Sequence, residues 1–169
     1  MRYAEIQEFD VNNGEGVGCS LFVQGCHFHC KNCFNQSTWD FNGGKEWTKA
    51  TKEKFLELVN RPYITRVSIL GGEPLADENI EDVSDLISQI PLNKKVWLYT
   101  GYVYENMDLD RKLVSNSVDV LVDGQFIDEL KDMNLSFRGS SNQRLIDIKE
   151  TIEEGKVKLW NSKNQSSLE

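Results

Sequence analysis

Apolar positions along the chain switch between a period of two and a period near 3.6, and the switches divide it into alternating strand and helix segments. Cys19-Ser20-Leu21-Phe22-Val23-Gln24-Gly25 predicts a short buried strand. Residues 48–60 predict a helix with Phe55, Leu56 and Val59 on one face, and Pro62 ends it. Arg66-Val67-Ser68-Ile69-Leu70 predicts a second strand that runs directly into Gly71-Gly72-Glu73-Pro74. From Asp77 to Ile90 the residues Ile80, Val83, Ile87 and Ile90 recur at helical spacing, with Glu81, Asp82 and Asp85 at polar positions, which predicts a covering helix closed by Pro91. A third strand follows over Lys95–Tyr102, helical residues near 103–115, and a fourth strand over Ser117–Gly124.

Later segments are shorter. Phe126 to Met133 predicts a short helix, Phe137–Arg144 a polar loop, Leu145–Ile148 an edge strand, and Lys156–Trp160 a last strand. At the other end, residues 1–18 run into Gly14-Glu15-Gly16-Val17-Gly18, where three glycines in five residues mark an irregular loop. Repeated strand–helix units with short links predict an α/β fold with a mostly parallel sheet and helices packed on it. The expected organisation is one domain over 1–169, with a core at about 3–160 and a polar tail at 161–169. At 169 residues the chain is short for a complete eight-fold barrel, which takes about 250.

Charge narrows the function classes. The chain holds 27 acidic and 19 basic residues, a formal net charge of -8, with no Lys/Arg-rich run. That balance argues against a nucleic-acid partner. No apolar run reaches the length of a membrane span, and Met1-Arg2-Tyr3-Ala4-Glu5 lacks the apolar core of a signal peptide, so a cytoplasmic protein without a membrane partner is expected. In that compartment clustered cysteines serve metal or redox chemistry more readily than disulfides.

Three of the four cysteines, Cys26, Cys30 and Cys33, lie within eight residues at the spacing C-x3-C-x2-C. Thiolates select zinc, copper(I) or iron–sulfur clusters, and so short a loop can aim three sulfurs at one centre. Closed zinc sites and ordinary clusters take four protein ligands, so three leave a position for chemistry. Cys19 sits at the start of the preceding strand, about 20 Å back along its axis, and is expected to be a buried, non-ligating thiol. His27 and His29 lie inside the loop and are expected to turn outward; one of His27, His29 or Cys19 could complete a zinc site in a non-catalytic binding domain, which is the rival reading. A thiol-redox role for Cys30 and Cys33 is weaker, because their C-x2-C does not open a helix.

The C-x3-C-x2-C loop, followed one strand–helix unit later by Gly71-Gly72-Glu73-Pro74, resembles the radical SAM superfamily. The resemblance implies a partial, open (β/α) barrel of the radical SAM type. It also implies a 4Fe-4S cluster on Cys26, Cys30 and Cys33, with S-adenosylmethionine on the fourth iron. Gly71, Gly72 and Glu73 would then meet the cofactor's amino group, while Thr100 and Gly101 at the third strand end suit its carboxylate or ribose. Asp123 is expected to project from the same rim. Many superfamily members carry an aromatic residue where this chain has Asn32, so Asn32 is expected to meet the adenine by its backbone and Phe34 to supply apolar packing.

More narrowly, the chain resembles the anaerobic (class III) ribonucleoside-triphosphate reductase activating proteins. The likeness rests on Asn13-Gly14-x-Gly16, Cys19-x-Leu21-Phe22-Val23, Phe34-Asn35-x-Ser37-Thr38-Trp39, Tyr99-Thr100-Gly101-Tyr102, Val120–Gly124 and Arg138-Gly139-Ser140-Ser141-Asn142-Gln143. Glu15 departs from a common proline of that family. The resemblance implies an enzyme that cleaves S-adenosylmethionine reductively to a 5'-deoxyadenosyl radical. That radical would take hydrogen from a glycine of the reductase large subunit, and a flavodoxin-like protein would donate the electron. Arg138 to Gln143 becomes a candidate segment for docking the partner or for supporting the site from behind. A radical SAM enzyme with another target, such as a pyruvate formate-lyase activase, is the nearer alternative.

Overall fold

The computed structural model describes residues 1–161. Its strands are β1 (Arg2–Asp10), β2 (Gly18–Val23), β3 (Lys45–Glu46), β4 (Arg66–Gly71), β5 (Lys95–Tyr99), β6 (Val120–Asp123) and β7 (Arg144–Asp147). Its helices are α1 (Lys49–Val59), α2 (Ile80–Gln89), α3 (Leu109–Ser115) and α4 (Ile148–Glu154). The strands form one open sheet in the order β3-β1-β2-β4-β5-β6-β7. The central β2-β4-β5-β6 pairings are parallel, and β1, β3 and β7 run antiparallel at the flanks. The fold is therefore α/β with a sheet that is parallel in its middle and not closed.

Alternation along each strand decides which face is covered. Cys19, Leu21 and Val23 of β2, Val67 and Ile69 of β4, Val96 and Leu98 of β5, Leu121 of β6 and Ile146 of β7 join one apolar core. Phe55, Leu58 and Val59 of α1, Val83, Leu86 and Ile87 of α2, Val114 of α3 and Ile148 of α4 pack against them. All four helices thus lie on one side. On the other, Trp97, Val120, Val122 and Leu145 form a smaller cluster with Tyr99, Phe137 and Trp160.

Local chemistry sets the helix ends. Thr48, Asp108 and Asp147 accept from the amides of Thr51, Arg111 and Glu150, capping α1, α3 and α4. Gly155 stops α4 in the left-handed region at φ 69°. Several sequence expectations are corrected here. β1 was not legible, because its residues are mostly half-exposed and include Glu5, Glu8 and Phe9 among the exposed. The expected helix at 126–133 is only a 3-10 turn at Asp128–Leu130, and 103–115 splits into a 3-10 turn at Tyr104–Asn106 and α3. Ile148 starts α4 and does not extend the strand, since the Asp147 carboxylate takes the Glu150 amide. Lys156–Trp160 contributes a single bridge, Leu159 to Ile146. The expected polar tail lies, from residue 162 onward, outside the described residues.

Candidate metal centre

The cysteine loop leaves the C-terminal end of β2 and is closed at its base by backbone bonds from Gly25 N to Thr38 O (2.7 Å) and Cys26 N to Trp39 O (3.1 Å). Gln24, buried beside it, donates its side-chain amide to Asp40 O at 2.8 Å and Ser37 O at 3.2 Å. Two residues in the left-handed region, His29 (φ 48°) and Asn32 (φ 56°), turn the loop back on itself. The histidines face away from its interior, as expected. His29 stacks on Trp39 with ring centroids 4.4 Å apart, and His27 Nε2 lies 2.8 Å from Glu78 Oε1.

Cys26, Cys30 and Cys33 line one cavity of about 590 Å³ on the face of the sheet that the helices leave uncovered, a volume typical of small-molecule sites. Phe22, Leu70, Tyr99 and Val122 form its floor. Phe34, Gly71, Gly72, Glu73, Thr100 and Gly101 stand in the same wall as the thiols. Strand ends separated in sequence meet there because β2, β4, β5 and β6 run parallel and finish on one rim. Asn32 and Asp123 stand outside the cavity wall. The Asn32 side chain is exposed and donates to Asp128 Oδ2 at 2.8 Å. Asp123 is buried and faces Arg144 Nη2 at 2.6 Å and the Tyr104 amide at 2.9 Å, so its carboxylate is spent on the scaffold.

Glu73 has a similar commitment within the wall. Its Oε1 accepts from Thr100 Oγ1 at 2.8 Å and the Leu75 amide at 2.9 Å, while Oε2 accepts from the Gly101 amide at 2.7 Å. Burial pushes its pKa up to about 7 against the opposing pull of those three donors. The carboxylate thus fixes Thr100 and Gly101 to the glycine turn, and all five residues from Gly71, Gly72 and Glu73 to Thr100 and Gly101 line the cavity. Asn79, the residue before α2, completes the turn, donating to Gln24 O at 3.1 Å and Glu73 O at 3.0 Å.

The donor set fits an iron–sulfur cluster better than a closed zinc site. Cys19 is fully buried in the helix-side core, with its thiol pushed up to about 12 by burial, and the two histidines are engaged elsewhere, so among the described residues no other cysteine and neither histidine joins the three thiols. Among the described residues no three His, Cys, Asp or Glu side chains gather as a site for a single ion. A four-iron cluster takes one thiolate per iron, so its ligands need not meet at one point. Burial raises the pKa of Cys26 and Cys30, and binding would have to displace those protons. The Asn35 amide already points at Cys33 Sγ, at 3.3 Å.

Two further groups escaped sequence reasoning. The connection 124–143 folds over the cavity and contributes Gln125, Phe126, Met133, Leu135, Phe137 and Arg138 to its wall. Its ends are held by the polar motif that was expected either to dock the partner or to support the site from behind. Gln143 Oε1 accepts from the amides of Gly139 (3.0 Å) and Ser140 (3.1 Å), its Nε2 donates to Gly124 O at 3.0 Å, and Asn142 Nδ2 donates to Gln125 O at 2.7 Å. The second group underlies the glycine loop. Arg66, 1% exposed, donates to the carbonyls of Asp10, Asn13 and Glu15 and to Ser68 Oγ, and lies 3.7 Å from the Asp10 carboxylate. A polar residue opening a β-branched strand was the available signal for it.

Comparison with known proteins agrees with this geometry. A family model described as a 4Fe-4S single cluster domain matches residues 12–146. The chain is 40% identical over 148 residues to the anaerobic ribonucleoside-triphosphate reductase-activating protein of Salmonella typhi, covering 85% of this chain and 96% of that protein. It is 38% identical to the protein of the same name from Escherichia coli (strain K12), with the same coverage. To that of Enterobacteria phage T4 it is 36% identical, over 86% of this chain and 93% of the relative. With matches of this length on both sides, the chain belongs to the family of anaerobic ribonucleoside-triphosphate reductase-activating proteins.

Proposed function

We infer that this protein is an activating enzyme for an anaerobic ribonucleoside-triphosphate reductase, working through a 4Fe-4S cluster and S-adenosylmethionine. The observation that carries the reading is the placement of Cys26, Cys30 and Cys33 in one wall with the glycine turn and the ends of the parallel strands. Cys26, Cys30 and Cys33 would hold the cluster, whose bound chemistry with S-adenosylmethionine is to supply a carbon radical able to take hydrogen from a glycine of the reductase. The open sheet, with helices on one side only, is consistent with a partial barrel of the radical SAM type.

The chain's own residues then have separate tasks. Gly71 and Gly72 offer backbone groups to an ammonium at close range, as side-chain-free positions can. Glu73 keeps Thr100 and Gly101 in register with that turn. Phe34, half-exposed beside Cys33, pairs with Phe126 at 5.1 Å and gives an apolar surface suited to an adenine face. Tyr99, Val122, Phe22 and Leu70 keep the floor apolar, so a reactive carbon is held away from bulk water. Asp123 acts one step back, fixing Arg144 and the Tyr102–Tyr104 turn. A flavodoxin-like electron donor and a cytoplasmic setting belong to the same reading; no helix among the described residues is long and apolar enough to cross a membrane.

The test is anaerobic reconstitution followed by electron paramagnetic resonance with and without S-adenosylmethionine, then mixing with the reductase. A cluster signal perturbed by S-adenosylmethionine and a glycyl radical on the reductase are expected. 5'-Deoxyadenosine without that glycyl radical would point to another target, and colourless protein with one equivalent of zinc would end the reading.

A further inference from the structure

Arg2, Arg61, Arg66, Arg111 and Arg144 each lie within salt-bridge distance of a carboxylate. Arg138, the remaining arginine of the chain, has no ion pair or hydrogen bond among the described residues, and its Nε is buried without a partner. This is unexpected in a chain with eight more acidic than basic residues, 27 against 19. A partly buried guanidinium bears a desolvation cost that proteins normally offset with an anion.

Its position is as informative as its lack of a partner. Arg138 stands in the wall of the central cavity and also in that of an adjoining pocket of about 400 Å³, so it forms part of the partition between them. The backbone on either side is fixed. Phe137, at φ 60°, packs edge-on against Trp97 at 5.2 Å, and Gly139 is so close to Phe34 that an added Cβ would come within 2.8 Å of that ring. The Gln143 amide holds the Gly139 and Ser140 N–H groups. The backbone that carries this side chain is therefore held in place, next to the residue that packs on the aromatic neighbour of Cys33. The planar fork of arginine matches a carboxylate in two-point contact.

We propose that Arg138 is the carboxylate-binding residue of the central cavity. The carboxylate is either that of the amino-acid portion of S-adenosylmethionine or an acidic side chain of the reductase segment that enters the cavity. The assignment rests on the activase reading given above.

Arg138→Gln and Arg138→Lys test it, with circular dichroism and iron content confirming that each variant folds and loads. S-adenosylmethionine and its decarboxylated analogue are titrated calorimetrically into the reconstituted proteins without reductant, and reductase affinity is measured separately. If the cofactor supplies the carboxylate, Arg138→Gln binds S-adenosylmethionine at least tenfold more weakly and the analogue with unchanged affinity, and Arg138→Lys recovers part of the loss. If the reductase supplies it, S-adenosylmethionine binding and 5'-deoxyadenosine formation persist while reductase affinity falls at least tenfold. Unchanged affinity of Arg138→Gln for both S-adenosylmethionine and the reductase overturns the assignment. A wild-type protein that binds no S-adenosylmethionine overturns the activase reading itself.

Discussion

Thr100 donates its hydroxyl to Glu73 across the gap between the ends of β4 and β5, at 2.8 Å and out of contact with solvent. That bond, with the Gly101 amide on the other carboxylate oxygen, joins two strand ends into one rigid wall. Glu73→Gln would set an NH2 group against an N–H donor. Leaving one buried donor without an acceptor costs about 1–3 kcal/mol, which chemical denaturation should detect. Binding of S-adenosylmethionine should weaken in parallel.

The same carboxyl group gives a pH signature. Burial lifts Glu73 from its ordinary 4.5 to about 7, so the folded chain holds this proton more tightly than the unfolded chain does. Its contribution to stability is fully present below pH 4.5 and is lost as pH rises to about 7. The stability advantage of wild type over Glu73→Gln should therefore shrink across that interval, in melting temperatures measured at a series of pH values. An advantage that grows with pH would show that the three donors outweigh burial.

Serine in place of Cys26, Cys30 or Cys33 should each abolish stable iron and sulfide incorporation while leaving the fold intact, since all three are partly exposed loop residues. Cys19→Ser should do the reverse. It would put a hydroxyl into the helix-side core, costing about 1–3 kcal/mol, and leave iron content unchanged. Iron analysis beside a denaturation curve separates the two classes.

Arg66→Met should be among the most damaging single changes outside the cysteine loop. It removes the donor to three carbonyls and strands the buried Asp10 carboxylate, whose pKa is held low by Ser20, Asn12, Asn13 and Arg66 against the opposing effect of burial. Breaking a buried pair on one side costs about 3–5 kcal/mol. A loss under about 1 kcal/mol in denaturant titration would mean that the glycine loop holds itself.

Gln143→Leu should loosen the 124–143 connection without unfolding the sheet. Two amides and one carbonyl lose their partner, and hydrogen exchange should accelerate selectively at Gly139 and Ser140. Uniform acceleration across β4 and β5 would instead make Gln143 a global support.

The middle of the sheet was legible because both signals agreed there. Val67, Ile69, Val96, Leu98 and Leu121 alternate into the helix-side core, and each of their strands ends in a glycine or polar turn. The cysteine spacing marked the loop over residues 26–33 as three thiols at a fixed interval. What was not legible depended on contacts distant in sequence. β1 has a mixed, charged pattern and takes its place only by pairing with β2 and β3. The polar residues Ser140, Asn142 and Gln143 suggest a surface to a sequence reader, yet they turn back on their own connection. Glu73 was expected to receive an ammonium beside the glycine pair, and Asp123 to project from the same rim. Only the positions of Arg144, Thr100 and Gly101 show that their oxygens also brace the scaffold.

Packing every helix against a single face of the sheet gives the molecule two sides with different tolerances. Nanobodies selected against epitopes on α1 or α2 should bind and leave catalysis running, serving as handles for imaging or immobilisation. On the activase reading, those selected against the cavity edge where Phe34 and Met133 are exposed should compete with the reductase, so a panel of such binders would map the contact footprint with no mutation of the enzyme.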